Sequence, residues 1–362
     1  MGRCNHWDRP RAGFSLVELL VVISILSVLM SLILPAIQNA RESARKIQCA
    51  NHLKNIGIAM LGRMSAHGRF PAASTMGLRS ITDPEQGPKP YKNWVIDLLP
   101  FLDRQDLADR WVHEEPVTFP SNLELTSHQL EVLVCPSDFS VTGVGDLSYA
   151  VNGGIGESVY VAGVVDFPVD PFHSPIDLNG NGFFTGTPAE DESSPSDRDV
   201  LKATGLFFAE NTGSNKSIGF VSRHYTPAGI TDGMSNTLMV AESLRTGSSA
   251  ENPLNWASTS TMRSRVYFSH RVCEGNECSE GSVDYSRANS GSHAINAAIH
   301  QSEGVAPWPS SGHPRGVNMV FSDGHVRFMS ENVDGRVYAA MFTPAENVFR
   351  STPLRESVNG SP

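Results

Sequence analysis

A run of 22 residues without a charge, from Leu19 to Ala40, restricts how this chain can fold more than any other feature. Leu, Val and Ile dominate the run. A helix that crosses a bilayer needs about 20 such residues, whereas a buried helix of a soluble domain normally keeps a polar face. The run therefore predicts a membrane-spanning helix, which we place at residues 14–37.

The residues before the span predict its orientation. Arg3, Arg9 and Arg11 stand against Asp8 alone. Because basic flanks stay in the cytoplasm, the remainder of the chain should be exported. We expect a single-pass protein of the cell (inner) membrane, with lipid around its helix and its C-terminal part periplasmic or extracellular.

The N-terminal segment differs from an ordinary secretory signal. The apolar stretch is too long for one, and no small-residue cleavage site follows it. Glu18 stands near the start of the apolar run. A carboxylate in that position is costly in hydrocarbon, so Glu18 is a candidate functional residue.

The junction Gly13-Phe14-Ser15-Leu16-Val17-Glu18-Leu19-Leu20 resembles the leader junction of type IV prepilins and type II secretion pseudopilins. The resemblance implies that residues 1–13 are a leader, and that a prepilin peptidase cuts after Gly13 and methylates Phe14. It implies that Glu18 pairs with the N-terminal amine of a neighbouring subunit during filament assembly. It also places Pro35 where pilins often carry a helix-kinking proline.

After the span, the chain is predicted to continue as an amphipathic helix over residues 38–66. Apolar residues recur every three or four positions, opposite a charged face. The apolar stripe comprises Ile37, Ala40, Ala44, Ile47, Ala50, Leu53, Gly57, Met60 and Met64. The second half of the helix should therefore carry a stripe that a sheet can cover.

Residues 67–335 are predicted to form an α+β domain, followed by a C-terminal tail at 336–362. Ser322-Asp323-Gly324 between two apolar runs, 317–321 and 325–329, predicts a hairpin. Residues 94–102 are predicted as a short helix or turn, and residues 105–111 as a helix. Further strands are expected at 130–135, 149–160, 205–208 and 238–242, with exposed insertions at 185–199 and 245–312.

Several motifs behind the leader resemble the prepilin-like proteins that carry domain of unknown function 1559. The match runs from about residue 11 to 335. The resemblance implies a pilin-like fold, in which the long helix packs on an antiparallel sheet with long loop insertions. It implies no established activity. The motifs are Cys49-Ala50-Asn51-His52-Leu53-Lys54-Asn55-Ile56-Gly57, Cys135-Pro136-Ser137-Asp138, Thr231-Asp232-Gly233-Met234-Ser235-Asn236-Thr237, and His313 nine residues before Asp323-Gly324.

Four cysteines remain once the leader is removed, namely Cys49, Cys135, Cys273 and Cys278. Exported thiols meet an oxidising compartment, and four cysteines allow three pairings. We favour Cys49 with Cys135 and Cys273 with Cys278, although Cys49 facing another helix remains open. A zinc site at Cys273 and Cys278 is disfavoured, because no second pair follows at zinc-ligand spacing.

One segment resembles a calcium loop. Asp177, Asn179 and Asn181, followed by Gly182, match the start of an EF-hand-like loop, but Pro188 stands where the bidentate Glu is expected. Asn-Gly turns form without an ion, so a calcium loop and a metal-free turn both stay open as interpretations. Apart from this calcium, no cofactor is expected.

The sequence contains no convincing arrangement of catalytic residues. Cys135 would need a neighbouring base to act as a nucleophile. A strand over 317–321 would separate His313 from Asp323 by about 16 Å, which disfavours a shared site. We therefore expect a protein that is not an enzyme.

Two functions fit these features. The first is a structural subunit that assembles with like subunits, on an inner-membrane assembly platform, into a pilus or type II secretion pseudopilus. The alternative is an anchored envelope or polysaccharide-binding module, with Trp256, Trp308 and Tyr285 as stacking surfaces. Nucleic acid is not an expected partner, since 38 acidic against 28 basic residues give a formal charge of -10.

Overall fold

The computed structural model describes ten segments of the chain, and five α-helices lie wholly within them. The segments are residues 16–76, 90–141, 143–154, 203–211, 225–244, 255–258, 265–268, 285–297, 299–300 and 308–345. The chain divides into two compact units, residues 1–45 and 46–362. The helices are α1 (Leu16–His67), α2 (Trp94–Leu98), α3 (Gln105–Ala108), α4 (Pro120–Thr126) and α5 (Gly335–Phe342).

The described strands form two sheets in the second unit. The smaller sheet has the order β2-β1-β4, and the larger has the order β6-β3-β5-β7-β8. The strands are β1 (Ser74–Met76), β2 (Pro90–Asn93), β3 (Tyr149–Gly154), β4 (Ala209–Asn211), β5 (Leu238–Glu242), β6 (Arg265–Tyr267), β7 (Gly316–Phe321) and β8 (Val326–Ser330). Pairing is antiparallel except for β1–β4 and β3–β6, so the predicted antiparallel sheet is in fact mixed.

The larger sheet covers the second half of α1. Cys49, Leu53, Ile56 and Met60 recur every three or four residues and are completely buried in the core. Of the predicted amphipathic stripe, Leu53, Gly57 and Met60 are buried and supply one side of the core. Ile47 of that stripe is instead 63% exposed, so the buried face of the helix begins at Cys49.

A close contact fixes this packing at Gly57. A Cβ added there would lie 2.8 Å from Val320 Cγ2 on β7. One turn earlier, Lys54 Nζ donates to the carbonyl oxygen of Gly324 at 2.7 Å. Gly324 lies in the turn between β7 and β8 and has a φ of +83°. Two glycines thus let the helix approach the β7–β8 hairpin.

A partly buried ion network holds the end of α1. Arg63 donates to Asp97 Oδ2 at 3.1 Å, and Lys92 Nζ donates to Asp97 Oδ1 at 2.7 Å. Burial lowers the pKa of Arg63, although the charge of Asp97 opposes that shift. The shared carboxylate connects α1 to β2 and α2.

Three local predictions differ from the structure. Residues 130–135 contain a 3₁₀ turn, Glu131–Leu133, because the buried Leu130 and Leu133 are three positions apart rather than alternating. The strand predicted at 205–208 instead begins at Ala209. The helical segment predicted over 105–111 ends at Ala108.

The beginning of the predicted tail is part of the domain. Asp334 caps α5 by accepting from the backbone N–H groups of Arg336 and Val337. Tyr338 and Phe342 are completely buried, and the Phe342 ring centroid lies 5.4 Å from that of Phe268. The domain therefore extends to at least residue 345.

Candidate functional site

The first half of α1 presents apolar side chains to its surroundings on every face. From Leu16 to Ile37 all of its large apolar side chains are exposed, including Leu19, Val22, Leu26 and Leu29. The helix is long and apolar enough to cross a membrane by its length and composition. Within the described residues it is the one helix that meets this criterion. Such a surface is stable when lipid or other helices cover it.

The polar side chains inside this apolar segment are satisfied within the helix. Ser24 donates to the carbonyl of Val21 at 2.8 Å, and Ser31 donates to that of Val28 at 2.7 Å. Ser27 makes the same type of bond to a carbonyl one turn earlier, at 2.7 Å. Because a hydroxyl in hydrocarbon needs a partner, these bonds suit a membrane environment.

Glu18 lies in the first turn of α1 and is exposed. A carboxylate there faces the positive end of the helix dipole. Gly13 and Phe14 lie outside the described residues. Pro35 lies within α1, and the helix continues past it.

The second unit contains a cluster of four buried side chains, which we call the thiol cluster: Cys49, Cys135, Glu242 and His313. One ligand atom from each lies within 4.8 Å of the others. Their exposed fractions are 0%, 2%, 1% and 2%. A disulfide joins Cys49 to Cys135, the pairing favoured from the sequence. Within the described ranges this is the one group of His, Cys, Asp and Glu side chains arranged to hold a metal ion.

His313 contacts two members of this cluster. Its Nε2 lies 3.5 Å from Cys135 Sγ and 3.3 Å from Glu242 Oε1. Glu242 also accepts from the backbone N–H of Asn318 at 2.6 Å and from Asn318 Nδ2 at 2.8 Å. The carboxylate therefore has fixed donors on β7 and holds the imidazole beside the sulfur.

The Cys135-Pro136-Ser137-Asp138 motif is a tight turn that places Cys135. Asp138 Oδ2 accepts from Ser148 Oγ at 2.6 Å, and the Asp138 backbone N–H donates to the carbonyl of Cys135 at 2.9 Å. Burial raises the pKa of Asp138, although hydrogen bonds from Ser140 and Ser148 oppose that shift. The turn also packs directly against Gly312, since a Cβ there would overlap the Ser137 carbonyl oxygen. Any side chain at residue 312 would thus displace the segment that carries His313.

The electrostatic environment of the cluster extends to Tyr149. Its hydroxyl donates to the carbonyl oxygen of Cys49 at 3.4 Å. Burial, and then the charges of Glu242 and Asp138, raise the pKa of Tyr149 well above its ordinary value. The phenol therefore stays neutral at physiological pH and serves as a donor.

Other predicted site residues have different surroundings. Asp323 accepts from His325 Nδ1 at 2.7 Å in the exposed hairpin turn, whereas His313 belongs to the buried thiol cluster. Cys273, Cys278 and the calcium-loop residues Asp177, Asn179 and Asn181 lie outside the described residues.

The aromatic surface suggested for the binding alternative is not present. Trp256, Trp308 and Tyr285 are 0%, 4% and 3% exposed. Trp256 Nε1 donates to the carbonyl of His128 at 2.8 Å, as a core indole does. These three rings therefore offer no stacking face to a sugar.

Sequence reasoning did not assign Glu242 or connect His313 to the cysteines. One signal was available for Glu242. It ends the otherwise apolar strand Leu238–Glu242, in which all five residues are buried. A carboxylate in such a strand needs a partner, so it marks a buried polar site.

The pilin-like α+β fold and the exposed apolar helix define a membrane-anchored prepilin-like protein. A family model described as the prokaryotic N-terminal methylation motif matches residues 8–34. A second, described as a protein of unknown function (DUF1559), matches residues 38–336. The chain therefore belongs to the DUF1559 family and carries a prepilin-type N-terminus. Neither description names an enzymatic activity, and no curated protein and no solved structure matches the chain.

Proposed function

We propose that this protein is a structural subunit of a pilus or type II secretion pseudopilus, and not an enzyme. A prepilin peptidase cuts between Gly13 and Phe14, and the mature chain passes through an inner-membrane assembly platform into a filament of like subunits. The observation that carries the proposal is the exposed apolar helical segment from Leu16 to Ile37, most of which lies within the match to the N-terminal methylation motif.

Physical chemistry supports a role in assembly. Burying one exposed leucine or isoleucine side chain contributes about 2 kcal/mol, so a segment with many of them favours lipid or neighbouring helices over water. Within the filament, Glu18 pairs with the amine of Phe14 from an adjacent subunit. The pairing compensates both charges in an apolar environment and sets the register between subunits.

N-terminal peptide mass spectrometry on filaments sheared from cells tests processing and assembly together. We expect a peptide that begins at methylated Phe14 in the sheared fraction. The same peptide found in membranes alone would argue against assembly. A chain that still begins at Met1 would contradict the processing step itself.

The Glu18→Gln variant tests the registry role separately. We expect normal cleavage but a strong loss of sheared filament, because an amine buried without its partner costs about 3 kcal/mol per subunit. Glu42→Gln is the matched control. Glu42 lies in the same helix and pairs locally with Arg45 at 3.4 Å. Equal filament yields from the two variants would remove Glu18 from assembly.

We further propose that residues 46–362 lie on the periplasmic or extracellular side of the membrane. The Cys49–Cys135 disulfide supports this, since disulfides persist in oxidising compartments. An alkaline phosphatase fused after Pro362 should be active, and a β-galactosidase fused at the same position should not. The reverse pattern would overturn the orientation.

A further inference from the structure

The thiol cluster contains more chemistry than a structural disulfide needs. A disulfide is nearly apolar and packs well among apolar side chains. Here it lies beside a carboxylate and an imidazole that are both at least 98% buried. Burying ionisable groups is costly unless they are paired or bind a metal. Glu242 and His313 pair with each other, but this pairing does not explain why both converge on the sulfur atoms.

Two distances within the cluster match those of a tetrahedral zinc site. With Zn–S bonds of about 2.3 Å and Zn–N or Zn–O bonds of about 2.0–2.1 Å, neighbouring ligand atoms lie about 3.3–3.8 Å apart. The Cys135 Sγ to His313 Nε2 distance is 3.5 Å, and the His313 Nε2 to Glu242 Oε1 distance is 3.3 Å. Both distances already have the length required between two ligands of one zinc ion. The distance between the two sulfur atoms has to increase, and breaking the disulfide permits this.

The surroundings also hold these ligands as a metal site requires. Asn318 donates two hydrogen bonds to the Glu242 carboxylate, from its backbone N–H and from Nδ2. The backbone N–H of His313 donates to Ser311 Oγ at 3.1 Å, and Ser311 Oγ donates to the carbonyl of Gly316 at 2.7 Å. Hydrogen bonds to a ligand group, such as those of Asn318 to the Glu242 carboxylate, orient the ligand and strengthen metal binding. The bonds of Ser311 fix the backbone of the segment that carries His313.

We propose that the thiol cluster is a redox-controlled zinc site. When Cys49 and Cys135 are reduced, their two thiolates, Nε2 of neutral His313 and a carboxylate oxygen of Glu242 bind one Zn²⁺. The disulfide is the metal-free state of the same site. Both states cross-link α1 to the sheet, so the second unit keeps its helix docked in reducing and in oxidising surroundings.

The interconversion is balanced with a dithiol as reductant. The dithiol gives two electrons and two protons to the disulfide. The Cys49–Cys135 bond breaks, two thiols form, and the reductant becomes a disulfide. Zinc binding then releases the two thiol protons, because thiolates are the ligands. Oxidation reverses the sequence and releases the metal.

Zinc binding by the full chain in detergent tests the proposal. The background variant carries Cys4→Ser, Cys273→Ser and Cys278→Ser, so that any bound metal reports on Cys49 and Cys135. The chain is reduced with a phosphine in the presence of Zn²⁺, desalted, and analysed for zinc by mass spectrometry. We expect about one zinc ion per reduced chain and none on the oxidised chain.

Two substitutions identify the non-sulfur ligands. His313→Gln and Glu242→Gln should each weaken zinc binding at least about tenfold. The matched control is His325→Gln, because His325 is an exposed histidine of the β7–β8 hairpin that bonds to Asp323. Equal zinc affinity in His313→Gln and His325→Gln would overturn the assignment of His313.

A spectroscopic readout needs no substitution within the cluster and so avoids misfolded variants. Co²⁺ added to the reduced background chain should give thiolate-to-cobalt absorption and the visible bands of tetrahedral cobalt. Zinc should also restore the melting temperature that reduction lowers. A folded, reduced chain without cobalt absorption would overturn the proposal, and so would a reduced chain that stays unfolded with zinc present.

Discussion

Leu26 and Leu53 belong to the same helix, yet Leu26 is 51% exposed and Leu53 is completely buried. The two halves of α1 differ in pattern rather than in helical structure. The first half is apolar on all faces, and the second half carries one apolar stripe opposite charged residues. An all-round apolar surface needs lipid or other helices, whereas a stripe needs one sheet. The width of the apolar face therefore indicates what covers each half.

The largest expected effect comes from removing the disulfide that ties the second half to the domain. Cys135→Ser removes a cross-link between two residues that are 86 positions apart. In the chain-entropy model, a cross-link that closes such a loop contributes about 4.6 kcal/mol to the free energy of unfolding. Thermal unfolding of the full chain in detergent, without added zinc, should show a large fall in melting temperature. An unchanged melting temperature would mean that the sheet alone holds the helix.

Truncating one buried side chain of the second half should have the next largest effect. Leu53→Ala should lower the free energy of unfolding by about 3 kcal/mol, through lost burial and a cavity. Ile58→Ala is the control, because Ile58 lies on the same helix but is 55% exposed, and a surface change is expected to cost about 0.5 kcal/mol or less. Urea unfolding compares the two variants, and equal losses would contradict the assigned face.

A charge in the first half should act on membrane insertion instead of domain stability. Leu26→Arg places a cation near the middle of the apolar segment, at a cost of about 3 kcal/mol. Ile47→Arg provides the comparison, since Ile47 is 63% exposed but lies after the apolar run. Membrane fractionation should show reduced membrane retention for Leu26→Arg alone. Equal retention of both variants would argue that lipid does not surround Leu26.

The smallest effect concerns Gly57, where two terms oppose each other. Alanine is favoured over glycine in a helix by about 1 kcal/mol. The added Cβ would nevertheless lie 2.8 Å from Val320 Cγ2, and overpacking costs about 1–3 kcal/mol. We expect Gly57→Ala to lower the melting temperature slightly. A rise would show that β7 yields to the helix more easily than the structure suggests.

Local patterns predicted much of this fold. The sequence predicts a helix that spans the membrane over residues 14–37 and continues over 38–66, and the structure has one helix at Leu16–His67. The predicted hairpin is confirmed as β7 and β8, with Gly324 in its turn. The strand predicted over residues 130–135 is wrong, because a short apolar run alone does not distinguish a strand from a buried turn.

The sequence by itself determined the features that depend on neighbouring residues: the apolar span, the prepilin junction, the amphipathic stripe and the hairpin. Only the tertiary structure decided which distant residues meet. Cys49, Cys135, Glu242 and His313 come from a helix, a turn, a strand end and a loop. The order β6-β3-β5-β7-β8 and the packing of α1 on that sheet bring them together. No periodicity in the sequence predicts this contact, because sheet order is set by pairing between strands far apart in the chain.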